Sequence, residues 1–173
     1  MMKEIKLSNK KIILLFFASL SFTIFSIFFI LFPEKFVSFI FFSERFIKNI
    51  GYIGSLFFGL ACILLFTKLF DKKPGLIINK DGIIDNSNFS SVGLISWSDI
   101  LNIESKKVVS SDFLLLKVKN PEEYISRVSY LKRILLRKNF ETYNTPITIT
   151  SAGLECNFKE LEKIILDNYL KYK

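Results

Sequence analysis

Asp85, Asp99 and Glu104 are the side chains best placed to act as acids or bases, should the fold bring their carboxylates into one pocket. Little else in the chain offers itself for catalysis. The 173 residues include no histidine, so the side chain that most often serves as a base near neutral pH, and most often ligates metals, is missing. Cys62 sits inside an apolar run and Cys156 near the C-terminus, without the paired spacing of a zinc site or a disulfide framework. Both read as small buried apolar side chains. No glycine-rich phosphate loop and no activated nucleophile can be assembled from the sequence. An enzyme is therefore not expected, and no cofactor or metal is implied. Asp99 reads as a turn or cap residue before Ile100, and Trp97 as a core anchor whose indole N–H seeks a carbonyl.

Binding is the alternative to chemistry, and two groups of residues suggest it. Arg127, Lys132, Arg133, Arg137 and Lys138 concentrate positive charge in one short stretch, a candidate surface for anionic lipid headgroups or a protein partner. Gly51, Ser55 and Gly59 recur every four residues in an apolar run, a candidate face for close helix packing. Nucleic acid is not an expected partner. Residues 1–73 hold ten Lys/Arg against four Asp/Glu, and residues 74–173 hold fourteen against twelve. The basic excess thus lies beside the apolar runs and not in a stripe on a folded domain.

Those apolar runs define the first half of the chain. Most of the 20 phenylalanines precede Phe70. Ile12 to Phe32 has no charged residue and is about twenty residues long, enough to cross a hydrocarbon core of roughly 30 Å. A second span is predicted over about residues 49–69. The first run is too long for a signal peptide, and its nearest small-residue cleavage pattern, Ser19-Leu20-Ser21, lies mid-run. Neither span carries an ionisable group in its centre, which argues against an ion pathway or an intramembrane protease. Lys3, Lys6, Lys10, Lys11, Lys68, Lys72 and Lys73 flank the outer ends, against Lys35, Arg45 and Lys48 in the loop, so both termini are expected in the cytoplasm. The loop from Pro33 to Phe46, rich in phenylalanine, is expected to lie in the far interface.

From Pro74 onward short apolar segments alternate with turn residues. Leu76 to Ile78 and Ile83-Ile84 flank an Asp81-Gly82 hairpin signal. Further strands are predicted over 92–97, 100–108, 113–118, 146–150 and 154–156, a tally of about seven. Asn120-Pro121-Glu122-Glu123 opens a helix expected to reach Asn139, with Tyr124, Val128, Leu131 and Leu135 on its apolar face. Asn157 and Glu160 form a capping-box pattern that opens a C-terminal helix at Phe158.

Gly75-Leu-Ile-Ile-Asn-Lys-Asp-Gly-Ile-Ile84 followed by Ile95-Ser-Trp-Ser-Asp-Ile100 resembles bacterial PH-like domains, and with Asp71-Lys-Lys-Pro-Gly-Leu-Ile-Ile-Asn79 and Ile147-Thr-Ile-Thr-Ser151 the whole chain resembles an uncharacterised bacterial membrane-protein family. That family joins an N-terminal two-helix transmembrane hairpin to a C-terminal PH-like domain. The resemblance implies an α+β membrane protein: a hairpin over residues 1–73, then a cytoplasmic domain over 74–173. It also implies a bent antiparallel sheet with a C-terminal helix, a fold that often binds partners or lipids. Phosphoinositide-binding PH domains resemble one another in a basic loop between their first two strands, whereas the Asn79–Gly82 turn offers only Lys80. The expected function is a membrane-tethered, non-enzymatic module presenting a binding surface at the inner face of the bacterial cytoplasmic membrane. The alternative is an accessory or regulatory subunit of a larger membrane complex.

Overall fold

A computed structural model describes residues 2–40, 43–109 and 111–173. The chain divides into two compact units, Asn9–Asp71 and a second unit made of Met1–Ser8 together with Lys72–Lys173. The second unit is thus interrupted by the first. This division differs from the sequence expectation, which gave residues 1–73 to the hairpin.

The helical unit holds α1 (Asn9–Leu31), the short α2 (Glu34–Ile40) and α3 (Glu44–Leu69). Both long helices are long and apolar enough to cross a membrane, and they contain the runs predicted at 12–32, except Phe32, and 49–69. They pack antiparallel: Phe16 meets Phe66, Phe22 stacks on Phe58 at 4.8 Å, and Ile30 faces Gly51. On their outer surfaces Leu14, Ile53 and Leu56 are all at least 70% exposed. Hydroxyls on these helices bond to carbonyls of their own helix, Ser26 to Phe22 at 2.8 Å and Thr23 to Ser19 at 2.8 Å. A polar group satisfied within its own turn adds little cost to an apolar surrounding. In the segment joining the long helices, Phe36 packs edge-on against Phe29. Phe41 and Phe42 lie outside the described residues.

The other unit is α+β, with two antiparallel sheets. The first runs in the order β1 (Lys3–Ile5), β2 (Leu76–Ile78), β3 (Gly82–Asp85), β4 (Gly93–Ser96). The second is β5 (Ile100–Val108), β6 (Ser111–Val118), β7 (Ile147–Ile149). Between β6 and β7 stand α4 (Pro121–Ser126) and α5 (Tyr130–Tyr143), and α6 (Phe158–Tyr172) closes the chain. Strand β1 was not expected. Its three residues, Lys3, Glu4 and Ile5, pair with Ile78, Ile77 and Leu76. So short a strand shows too few alternations to read from sequence, and Lys3 with the neighbouring Lys6 suggested a membrane flank. The strand predicted at 154–156 is absent; Leu154 forms only a bridge to Leu7. Where both connections to the helices meet the sheet, a Cβ on Gly75 would come 3.0 Å from Leu7.

Local chemistry explains the remaining elements. Asn79 Oδ1 accepts from the backbone N–H groups of Asp81 and Gly82, an Asx turn that sets the β2–β3 hairpin. At Gly82 a Cβ would lie 2.8 Å from the Ile95 carbonyl carbon, so only glycine lets β3 approach β4 there. Trp97 is 2% exposed and donates from Nε1 to the Asn79 carbonyl at 2.8 Å, the role expected of it. Asn157 and Glu160 form the reciprocal capping box of α6, which buries Leu161 and Ile165.

Because Ile5 is 6% exposed in a three-residue strand, Ile5→Ala should destabilise this unit by roughly 2–4 kcal/mol. Chemical denaturation of the full chain in detergent, followed through the fluorescence of its single tryptophan, measures this. A change within the scatter of repeat curves would mean that β1 does not hold the sheet.

Candidate binding surface

The basic stretch does not form the single helix predicted over 121–139. Helix α4 ends at Arg127, and the chain restarts as α5 after Ser129, whose backbone is extended at φ −61° and ψ 160°. Serine is a preferred residue before a helix, so Ser129 was the legible sign of this break. The second helix also runs past Asn139, ending at Asn144, which adopts a left-handed conformation at φ 54°.

Each of the five candidate cations has a definite partner. Arg127 donates from Nη2 to the Leu94 carbonyl of β4, with its guanidinium 4.0 Å from the centre of the Tyr124 ring. Lys132 donates to the Ser91 carbonyl at 3.1 Å and lies 5.7 Å from the centre of the Phe89 ring. Arg133 turns back to the end of α4, donating to the Ser126 carbonyl at 2.9 Å, while its buried Nε has no partner among the described residues. Arg137 pairs with Glu122 at 3.3 Å and Lys138 with Glu141 at 3.2 Å, both exposed. Exposed pairs of this kind contribute little to stability. The five therefore do not make one patch. Only Arg127 and Lys132 converge, on a cleft of about 400 Å³ lined also by Ser91, Gly93, Val128 and Ser129.

The apolar face of this stretch is the one predicted at Tyr124 but not at Leu131 and Leu135. Tyr124, Ile125 and Leu136 are buried, whereas Leu131 and Leu135 point outward. Within the helical unit, the small-residue row is likewise only partly used for packing. Gly51 is buried against Ser26 and Ile30, and Gly54, which the every-fourth-residue pattern passes over, also faces Ser26. Ser55 bonds to the Tyr52 carbonyl of its own helix, and a Cβ on Gly59 would meet nothing within 4 Å.

The three candidate carboxylates occupy separate settings. Asp85 is buried at the end of β3 and accepts from the backbone N–H of Ser87 at 2.8 Å. Asp99 accepts from the Tyr124 hydroxyl at 3.0 Å, and Glu104 on β5 lies 3.8 Å from Lys117. Among the described residues no three His, Cys, Asp or Glu side chains gather as a metal site. Neither Cys62 nor Cys156 is in a disulfide. No family model matches the chain, and neither does any curated protein or solved structure.

Tyr124 ties α4 to the turn before β5. Burial, then the hydrogen bond to Asp99 and that carboxylate's charge, push its phenol from 10.0 up to about 12. The folded state thus holds this proton more tightly than the unfolded chain. The stabilisation is complete below pH 10 and is lost as pH rises toward 12. In an alkaline titration followed by tyrosinate absorbance, one of the six tyrosines should ionise late, and that step should vanish in Tyr124→Phe. The same variant should lose about 1 kcal/mol at neutral pH. An unchanged titration would show that the buried phenol lies elsewhere.

Proposed function

We propose that this protein is a membrane-tethered, non-enzymatic module, and that its helical hairpin fixes the α+β unit against one membrane face, where it presents a binding surface. The observation that carries this reading is the pairing of β1, which precedes the hairpin, with β2, which follows it. Two helices that leave one sheet and return to it must have both outer ends on the same side of any membrane they cross. The connectors are short: Lys6–Ser8 leads into α1 and Phe70–Gly75 leads out of α3. Even fully extended, six residues reach only about 20 Å, so the unit would work close to the headgroups.

Support for insertion comes from the outward apolar faces of α1 and α3 and from hydroxyls already bonded within their own helices. Lysines at the sheet end of the hairpin favour the cytoplasmic side, which in a bacterium is the inner face of the cytoplasmic membrane. We also read the unit as PH-like. Antiparallel strands followed by a closing helix, here in sheets of four and three strands, support that reading. On that reading the first two strands are β1 and β2, and the connection between them is the hairpin itself. The Asn79–Gly82 turn joins the second strand to the third and lies at the opposite end of the sheet. An accessory-subunit role would have to use Ser55 and Gly59, because Gly51 is already taken up by α1.

Topology tests this reading. In full-length protein carrying Cys62→Ala and Cys156→Ser, a cysteine at Lys80 or Lys107 should react with an impermeant maleimide only from the cytoplasmic side. A cysteine at Lys48 should react only from the other side. Lys48 and Lys80 labelled from the same side would rule out a spanning hairpin.

A further inference from the structure

We propose that the first two turns of α5 rest on the surface of the membrane that holds the hairpin, with Tyr130, Leu131, Ile134 and Leu135 entering the boundary between headgroups and acyl chains. This rests on the reading that the hairpin spans a membrane. The four side chains are 74%, 63%, 49% and 44% exposed, and at 100° per residue they share one face, opposite the buried Leu136. A helix on the surface of a soluble domain turns its polar face outward. Here the first two turns do the reverse. The apolar character then stops, because Lys138, Glu141 and Thr142 continue the same face in the last two turns.

The apolar half is the half nearest the hairpin connections. Ile5 pairs with Leu76, Leu76 with Asp85 and Asp85 with Gly93, so these residues mark the end of the sheet from which the chain departs for α1 and to which it returns from α3. Lys132 reaches the carbonyl of Ser91 and Arg127 that of Leu94, which pins the start of α5 to this end. Phe89, 39% exposed, belongs to the β3–β4 loop at the same end.

Charge selects the occupant. Arg127 and Lys132, beside the apolar patch, are directed to backbone carbonyls, and among the described residues neither is in an ion pair with a carboxylate. A tyrosine and leucines bordered by cations suit an anionic bilayer surface, where aromatic and aliphatic groups reach the acyl boundary and cations meet phosphates. A second copy of the chain would bring the same cations face to face, which disfavours an isologous contact.

The test uses the full chain with Cys62→Ala and Cys156→Ser, reconstituted in vesicles of phosphatidylcholine and phosphatidylglycerol in equal parts. Single cysteines replacing Leu131, Ile134, Lys80 or Leu60 carry an environment-sensitive nitrobenzoxadiazole label, and Trp97 fluorescence confirms folding of each variant. Labels at 131 and 134 should emit to the blue of the label at 80 and be quenched at least about twofold more by brominated lipid. The label at Leu60, on the outward face of α3, reports whether the hairpin is inserted. Quenching at 60 with water-like emission at 131 and 134 overturns the proposal and leaves the anchored hairpin standing. No quenching at 60 overturns both. Blue-shifted labels at 131 and 134 that brominated lipid does not quench, but that crosslink between copies, also overturn it and make the face a protein interface.

Discussion

Three backbone pairings, Lys3 with Ile78, Glu4 with Ile77 and Ile5 with Leu76, govern how this chain is organised. They join residues about seventy positions apart across a hairpin, so the strand can form only when the helices bring the chain back on itself. A three-residue edge strand has little stability of its own. It is held because Ile5 and Leu7 are buried, Leu7 bridges to Leu154, and the Ser8 N–H reaches the Gly153 carbonyl at 2.8 Å. The segment before the first helix is thereby a structural part of the α+β unit.

Within the helical unit, close approach depends on the absence of side chains. Gly51 and Gly54 let Ser26 and Ile30 of α1 sit against α3 where a methyl group would collide. Further along the seam, toward the start of α1, phenylalanine pairs fill it, as Phe22 with Phe58 and Phe16 with Phe66 do. Outward side chains on the same helices, such as Leu14, Ile53 and Leu56, are instead largely exposed. This asymmetry, tight inside and uncovered outside, is what a pair of helices shows when its surroundings are themselves apolar.

Signals that act within four residues were legible in the sequence. The Asx turn at Asn79, the capping box at Asn157 and Glu160 and the apolar runs all carry their cause locally. Trp97 was legible as well, since a lone indole between short strands needs both burial and an acceptor. What could not be read depended on distant partners. Strand β1 exists only because β2 is beside it, and helix 121–139 is divided by a break that Arg133 stabilises by returning to the Ser126 carbonyl. Helical spacing placed Leu131 and Leu135 on a core face, but spacing defines a stripe without saying which way it points. With the break at Ser129, the second helix is free to rotate relative to the first, and Leu136 becomes the buried residue instead.

The candidate surface shows why a count of cations is a poor guide to a binding site. Five positive side chains in one stretch suggested a broad basic face, yet three of them hold α4, α5 and β4 together through backbone carbonyls. Substituting those residues would disturb the fold and any binding at once, so loss of binding in such variants would be ambiguous. Apolar exposure is the more discriminating feature. A lysine in water costs nothing and needs no explanation, whereas four large apolar side chains side by side in water lose hydration free energy that another surface would recover. On that physical ground our proposal takes the face of α5 built from Tyr130, Leu131, Ile134 and Leu135, and not the cations, as the working side of the α+β unit.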